Sequence, residues 1–176
     1  MRALIKHGAD VTGQDKTLST PLHLAAFSGS SAAVYLLLEH GADVTILDER
    51  HKTPLHLALS SVSATTFSML NQTSWGDTKA PNYRQFFYSE LSEDRIRTVQ
   101  LLIQHGAGVT VQDYDHSTPL HLASTSVIPD IVQLLIECGA DVNAQDGSRR
   151  TPLHLVSSSV SFNSTLLSFQ PDVKEG

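Results

Sequence analysis

The sequence predicts an all-α fold, a solenoid in which helix–turn–helix units are joined by hairpin-like loops. Two short motifs recur along the chain with one spacing, which is the signature of a repeat protein. The first motif is Thr-Pro-Leu-His-Leu followed by Ala or Val, and it begins at Thr20, Thr53, Thr118 and Thr151. The second is a Gly-Ala pair that begins at Gly8, Gly41, Gly106 and Gly139. Successive copies of both motifs lie 33, 65 and 33 residues apart, which makes chance a poor explanation.

The first motif predicts a short helix that opens each unit. A Thr hydroxyl can cap the free N–H groups of a first helical turn. Pro suits the first helical position, because that position needs no N–H donor. In the unit whose motif begins at Thr20, we expect Leu22, Leu24 and Ala25 to face neighbouring helices.

A second helix is predicted in each unit, in the first case from Ser31 to His40. Val34, Leu37 and Leu38 recur there at helical spacing. The corresponding apolar positions of later units are Val99, Leu102, Ile103, Val132, Leu135 and Ile136. Glycine follows each of these helices and accepts the left-handed conformation that ends a helix. The next segment is β-prone and contains Asp, which favours an extended, hairpin-like loop.

The motif and its period resemble the ankyrin repeat over about residues 1–61 and 95–157. This resemblance implies L-shaped units of two helices and a hairpin, stacked into a slightly curved solenoid. It implies that the motif histidine forms local hydrogen bonds and helps to tie repeats together. It also implies that partners bind through the hairpin tips and the concave face of the first helices. The structural positions that it assigns are Thr20, His23, Thr53, His56, Thr118, His121, Thr151, His154, Gly41, Gly106 and Gly139.

The repeat pattern divides the chain into an array over residues 1–157 and a divergent weak cap or tail over 158–176. The array comprises a partial unit 1–17, full units near 18–50, 51–115 and 116–148, and a partial unit 149–176. Because the first unit lacks its opening helix, Leu4 and Ile5 are expected to lack part of their partner surface. This pattern fits a fragment of a longer array, a variant that starts late, or a frayed end.

One insertion interrupts the second full unit, over residues 63–94, because the middle interval between motifs exceeds one period by 32 residues. It holds six of the eleven aromatic residues of the chain. Trp75, Tyr83 and Phe86 are candidates for partner contacts, since aromatic clusters supply binding hot spots. Three interpretations stay open: a specificity loop, an inert loop whose aromatic side chains pack back on the solenoid, or a retained intron.

Two irregular segments border predicted helices. Ser92, with two acidic residues after it, predicts the N-cap of the helix that follows the insertion. Near the C-terminus, a Ser-rich run over 157–161 follows the last motif. A poor second helix is predicted there from Phe162, Leu166, Leu167 and Phe169.

The hairpin tips and the concave face form the predicted binding surface. Each tip begins with an Asp, which is expected to bond its own backbone rather than a partner. The other tip positions differ among the repeats, as in a recognition surface, and their mixed charge suits a polar protein interface. The candidate residues are Phe27 on the concave face and, at the tips, Lys16, Arg50, His51, Tyr114, His116 and Arg149.

The tips depart from the ankyrin pattern at one position. The resemblance implies Gly two residues before the motif Thr, but this chain has Leu18, His51, His116 and Arg149 there. A left-handed conformation costs a non-Gly residue about 1–2 kcal/mol. We therefore expect the tips to form another type of turn.

Composition and charge exclude several other classes of function. A formal net charge of −6 does not supply the basic surface that nucleic acid requires. No apolar run approaches the roughly 18 residues of a membrane span. All nine histidines fall at repeat positions, and packed helices lie about 8–10 Å apart, which is too far for one column to bind a metal ion. No cofactor motif or catalytic arrangement is present, so we expect neither a cofactor nor enzyme activity.

The predicted function is that of a protein-interaction module or scaffold with an unidentified protein partner. We expect a monomer in the cytoplasm, with the nucleus as a second location. The alternative is a regulatory fragment of a longer enzyme-containing or signalling protein.

Overall fold

The protein is an array of short helices in the computed structural model. The structure describes residues 1–60, 83–125 and 128–160, with the backbone alone for 83–92 and 159–160. The helices of these segments are α1 (Arg2–Lys6), α2 (Pro21–Ser28), α3 (Ser31–Glu39), α4 (Pro54–Ser60), α5 (Tyr83–Gln104), α6 (Pro119–Ser124), α7 (Pro129–Glu137) and α8 (Pro152–Val160).

The helices stack in two rows, which confirms the predicted all-α solenoid. Helices α2, α4, α6 and α8 open the units and pack against one another in that order. The second helices form the other row, in which α3 packs against α5 and α5 against α7. Across the described segments no strand forms, and the loops predicted to be extended contain turns instead.

The core lies between the two rows and is formed by residues at equivalent positions of each unit. Its buried leucines include Leu22, Leu55 and Leu120 on the first helices and Leu37, Leu102 and Leu135 on the second helices. Each of them is at most 2% exposed. Burying a leucine side chain in this way contributes about 1.5–3 kcal/mol relative to leaving it in water.

Two predicted core positions are exposed instead, so those two predictions are wrong. Leu24 is 58% exposed and Ile136 is 40% exposed. Leu24 lies two residues from the buried Leu22, and residues i and i+2 of a helix point to different faces. Ile136 belongs to the last second helix of the described array, whereas its buried counterpart Leu38 lies in α3, which has α5 beside it.

Helix ends show the capping chemistry expected of the motif. The backbone N–H of His23 donates to Thr20 Oγ1 at 3.4 Å, and Pro21 occupies the first helical position. The glycines that follow the second helices have positive φ values of 84°, 92° and 89°, at Gly41, Gly106 and Gly139.

One long helix replaces the short second helix predicted after the insertion. Helix α5 begins at Tyr83 and continues through Ser92, so Ser92 is not an N-cap and that prediction is wrong. Neither Gly nor Pro occurs from Tyr83 to Gln104. Extending an existing helix therefore costs less here than ending it and starting another. Trp75 lies outside the described residues.

Both ends of the array expose large apolar side chains, among them Leu153 of α8 at 71%. Leu4 of α1 is exposed, while Ile5 is partly buried and packs against the core. Helix α8 continues into the Ser-rich run as far as Val160. The second helix predicted from Phe162 to Phe169 lies outside the described residues.

Candidate protein-binding surface

Each hairpin tip is a tight turn built around its leading Asp. In the second tip, the N–H of Asp48 donates to Lys52 O and the N–H of His51 donates to Asp48 O, both at 3.0 Å. The carboxylate of Asp48 accepts from the N–H groups of Arg50 and Lys52 at 2.8 and 2.9 Å. The equivalent carboxylates, those of Asp15, Asp113 and Asp146, bond their own tips in the same way. The Asp column thus contacts its own backbone.

The tips use the left-handed conformation that we expected them to avoid, so that prediction is wrong. The residues two before the motif Thr have φ values of 60°, 57°, 57° and 59°, at Leu18, His51, His116 and Arg149. The left-handed residue reverses the chain direction at the tip. The N–H of the leading Asp can then donate to the carbonyl of the residue after the left-handed one, as Asp48 does to Lys52. The Asp carboxylate and the backbone bonds hold each non-Gly residue in place despite its cost.

A ladder of backbone hydrogen bonds joins the tips of neighbouring units. The N–H of Glu49 donates to Thr17 O at 3.0 Å, and the N–H of Tyr114 donates to Arg50 O at 3.0 Å. The third bond has a length of 2.9 Å and joins the N–H of Gly147 to Asp115 O. The second of these bonds connects residues on opposite sides of the insertion, so the stacking of tips continues across it.

The motif histidines make a second set of contacts between units. His23 Nε2 lies 3.1 Å from Lys52 O, His56 Nε2 lies 3.3 Å from Ser117 O, and His121 Nε2 lies 2.9 Å from Arg150 O. A carbonyl can only accept, so Nε2 carries the proton and Nδ1 is an acceptor. Within each unit, Nδ1 accepts from the N–H and the hydroxyl of the motif Thr, as with Thr20 at 3.1 and 2.9 Å.

Burial favours the neutral form of two of these histidines. It lowers the pKa of His23 and His56, because a charged ring would lose its hydration. The Lys52 carbonyl and Asp48 oppose the shift at His23, and Asp113 opposes it at His56. A proton on Nδ1 would face two donors of the motif Thr, so the neutral ring fits the hydrogen-bond pattern.

The candidate tip residues are exposed and lie next to one another along the ladder. Tyr114 is 73% exposed, and its ring meets the His51 ring edge-on with centroids 6.0 Å apart. His116 lies over the next tip, where its Cδ2 would be 3.7 Å from a Cβ at Gly147. Lys16, Arg50 and Arg149 are also exposed.

An ion pair lies beneath these exposed side chains. Lys52 Nζ lies 3.9 Å from the buried carboxylate of Asp113 and so joins two neighbouring tips. Arg50, Tyr114 and Asp115 surround this pair and line a shallow pocket with it. The pocket offers a cation, an anion and an aromatic hydroxyl to a partner.

The first helices present a mainly apolar surface beside the tips. Phe27 is 47% exposed on α2, where Leu24 lies one turn before it. Leu57 and Ser60 of α4 are half-buried. Of the aromatic candidates in the insertion, Tyr83 and Phe86 lie in the first turns of α5.

Asp94 and Arg95 make contacts that sequence reasoning missed. Arg95 Nη1 donates to Ala58 O at 2.6 Å and to Phe27 O at 3.4 Å, while Asp94 accepts from the N–H of Ser31 at 3.4 Å. Burial lowers the pKa of Arg95, and Asp94 beside it raises that pKa. The only sequence signal for these contacts is that two adjacent charged residues occupy the positions that Gly29 and Ser30 have in the preceding unit.

Two other kinds of site are not found in the part of the chain that the structure describes. Its His, Cys, Asp and Glu side chains form no group that could hold a metal ion. Among the same residues, no helix has the length and apolar character needed to cross a membrane.

Stacked helix pairs that are joined by bonded hairpin tips define a helical repeat protein. The family model for ankyrin repeats matches residues 1–78 and 88–146 and contains three copies. The chain belongs to the ankyrin repeat family, whose repeats are generally protein-interaction modules. A search among curated protein sequences finds no match.

Proposed function

We propose that this chain is a protein-interaction module that binds a protein partner through its hairpin tips and the concave face of its first helices. The tip ladder is the observation that supports this best. It holds exposed side chains of successive units, among them Arg50 and Tyr114, on one surface. A surface with a fixed backbone loses little conformational entropy when a partner binds.

The chemistry of this surface fits a polar protein partner with an apolar contact. The leading Asp side chains are engaged by their own backbone, so the residues after them are the ones available for contacts. Tyr and Arg are enriched among the residues that carry binding energy, and Tyr114, Arg50 and Arg149 are exposed here. Leu24 and Phe27 supply an apolar patch on the first helices.

The same surface serves either an independent scaffold or a regulatory part of a longer enzyme-containing or signalling protein. We propose no catalytic role for the residues of this chain itself. A monomer in the cytoplasm or the nucleus is the state in which the tips would meet a partner. Contacts from Trp75, Tyr83 and Phe86 stay predictions.

The proposal is tested by comparing affinity capture by the wild-type chain and by an Arg50→Ala, Tyr114→Ala, Arg149→Ala variant. Partners are identified by mass spectrometry, and each is then measured for direct binding with purified components. Loss of three exposed contact residues is expected to lower the affinity for a true partner by at least tenfold. Truncating one hot-spot residue to Ala costs about 2 kcal/mol or more of binding free energy.

The matched control is Arg2→Ala, Tyr35→Ala, Arg97→Ala, which removes the same three residue types from exposed positions of α1, α3 and α5. This control is expected to bind like the wild type. Unchanged binding by the folded tip variant, or an equal loss in both variants, would remove the tips from the binding surface.

A further inference from the structure

The first full unit joins its two helices by a backbone turn. Gly29 has a φ of 71°, and its N–H donates to Ala26 O at 3.0 Å. The N–H of Ser30 donates to Ala25 O at 3.3 Å, and Ser30 Oγ accepts from the N–H of Ala33. These bonds satisfy the last carbonyls of α2 and the first N–H groups of α3.

In the second full unit, the positions that align with this turn from the C-terminal side belong to helix α5. Gly41 and Gly106 end the second helices of the two units, and counting back from them aligns Asp94 with Gly29 and Arg95 with Ser30.

Arg95 donates to a carbonyl of α4 from its side chain. Its Nη1 lies 2.6 Å from Ala58 O, and Ala58 occupies the position that Ala25 has in the first full unit. The same guanidinium reaches Phe27 O of α2 at 3.4 and 3.5 Å. Both carbonyls lie near helix C-termini, where a positive charge is favourable. A Cβ at Gly29 would lie 2.7 Å from Nη2, so the guanidinium packs directly on the turn of the preceding unit.

Asp94 makes the complementary contact at a helix N-terminus. Its carboxylate accepts from the N–H of Ser31 at 3.4 Å and from the Ser31 hydroxyl. The negative charge therefore lies at the N-terminus of α3, where it is favourable. None of the ion pairs among the described side chains includes Asp94 or Arg95, and their described hydrogen bonds go to backbone and hydroxyl groups.

We propose that Asp94 and Arg95 form a latch that fixes the middle of α5 to the preceding unit and to α4. The latch joins α5 to α2, α3 and α4 at one point. It leaves residues 83–93 as a helical arm of about 16 Å, at a rise of about 1.5 Å per residue. The chain can then carry an insertion between two helices of one unit while α5 still packs against α3.

The latch is tested by amide hydrogen exchange on the full-length chain and an Arg95→Met variant. In the wild type, amides of 84–94 are expected to be protected as part of a helix fixed to the array. Loss of the guanidinium is expected to speed exchange of these amides about tenfold, because hydrogen bonds from a charged donor are removed. Amides of 99–104 are expected to change less, since Val99 and Leu102 remain buried.

Arg97→Met is the matched control, because Arg97 lies half a turn further along α5 and its exposed side chain pairs with Glu93 at 3.8 Å. It is expected to change exchange by no more than about twofold. Equal exchange in the Arg95→Met and Arg97→Met variants, or a wild-type arm without protection, would overturn the latch.

A third variant, Arg95→Lys, tests the latch if the Arg95→Met variant does not fold. A lysine keeps the charge but cannot present the forked guanidinium to two carbonyls. Exchange faster than in the wild type supports the latch, whereas wild-type exchange contradicts it.

Discussion

The first and second full units have the same motif and the same tip, but they connect their helices in different ways. The first unit uses a backbone turn at Gly29 and Ser30. The second has α4 and the long helix α5 on either side of an insertion, and Arg95 bonds the carbonyl that a backbone N–H bonds in the first unit. Equivalent carbonyls of the two units thus accept hydrogen bonds from different donors, a backbone N–H in the first and a guanidinium in the second.

The comparison also shows where the stacking of the array is determined. The tip bond from Tyr114 to Arg50 and the bond from His56 to Ser117 both span the insertion. They have the same form as the bonds between uninterrupted units. The insertion enters between the two helices of a unit, where it does not disturb these contacts.

The largest expected effect on stability comes from replacing the motif histidine in either of the two units. His23→Ala and His56→Ala are each expected to lower the free energy of unfolding by about 3 kcal/mol, since each leaves a cavity and unpaired buried groups. Urea unfolding followed by far-UV circular dichroism measures both. A much smaller cost for His56→Ala than for His23→Ala would show that the interrupted unit does not stack like the intact one.

A deletion of residues 61–92 makes the second unit equal in length to the first, because it restores the period of 33 residues. Asp94 and Arg95 would then have to form the turn. Adding Asp94→Gly and Arg95→Ser copies Gly29 and Ser30, and is expected to stabilise the deletion variant by about 2 kcal/mol through a better left-handed residue and N-cap.

The same two substitutions in the full-length chain are the control for the deletion experiment. They remove the latch there, so they are expected to destabilise the protein. An effect of the same sign in both backgrounds would contradict the difference between the two units.

The smallest expected effect concerns the tips, which are alike in both units. Leu18→Gly and His51→Gly are each expected to stabilise the protein by up to about 1 kcal/mol, because Gly has no cost in the left-handed conformation but loses more entropy on folding. Thermal unfolding measures the change. Glu49→Gly, in the same tip without a positive φ, is expected to destabilise instead. Destabilisation by all three variants would contradict the strain at the tips.

The repeat pattern was sufficient to predict the two rows of helices, because buried leucines and helix-ending glycines recur at one period. It did not predict the conformation of Leu18, His51, His116 and Arg149. Their preference against positive φ is overcome by backbone hydrogen bonds that the tip Asp carboxylate accepts. Tertiary structure overrode a local preference there.

The start of α5 and the contacts of Arg95 were also missed, for a different reason. The end of a helix after an irregular segment depends on what packs against it, and a sequence shows only the local capping residues. Arg95 bonds residues 37 and 68 positions away, on two other helices, which no local pattern contains.

Hydrogen exchange at increasing urea concentration tests most directly whether the array is continuous across the insertion. Amides of α3, before the insertion, and of α7, after it, are compared in the wild-type chain. If the array is continuous, their opening free energies converge on one cooperative unfolding step as urea increases. Separate steps for the two sides, with α7 still protected after α3 has opened completely, would contradict it.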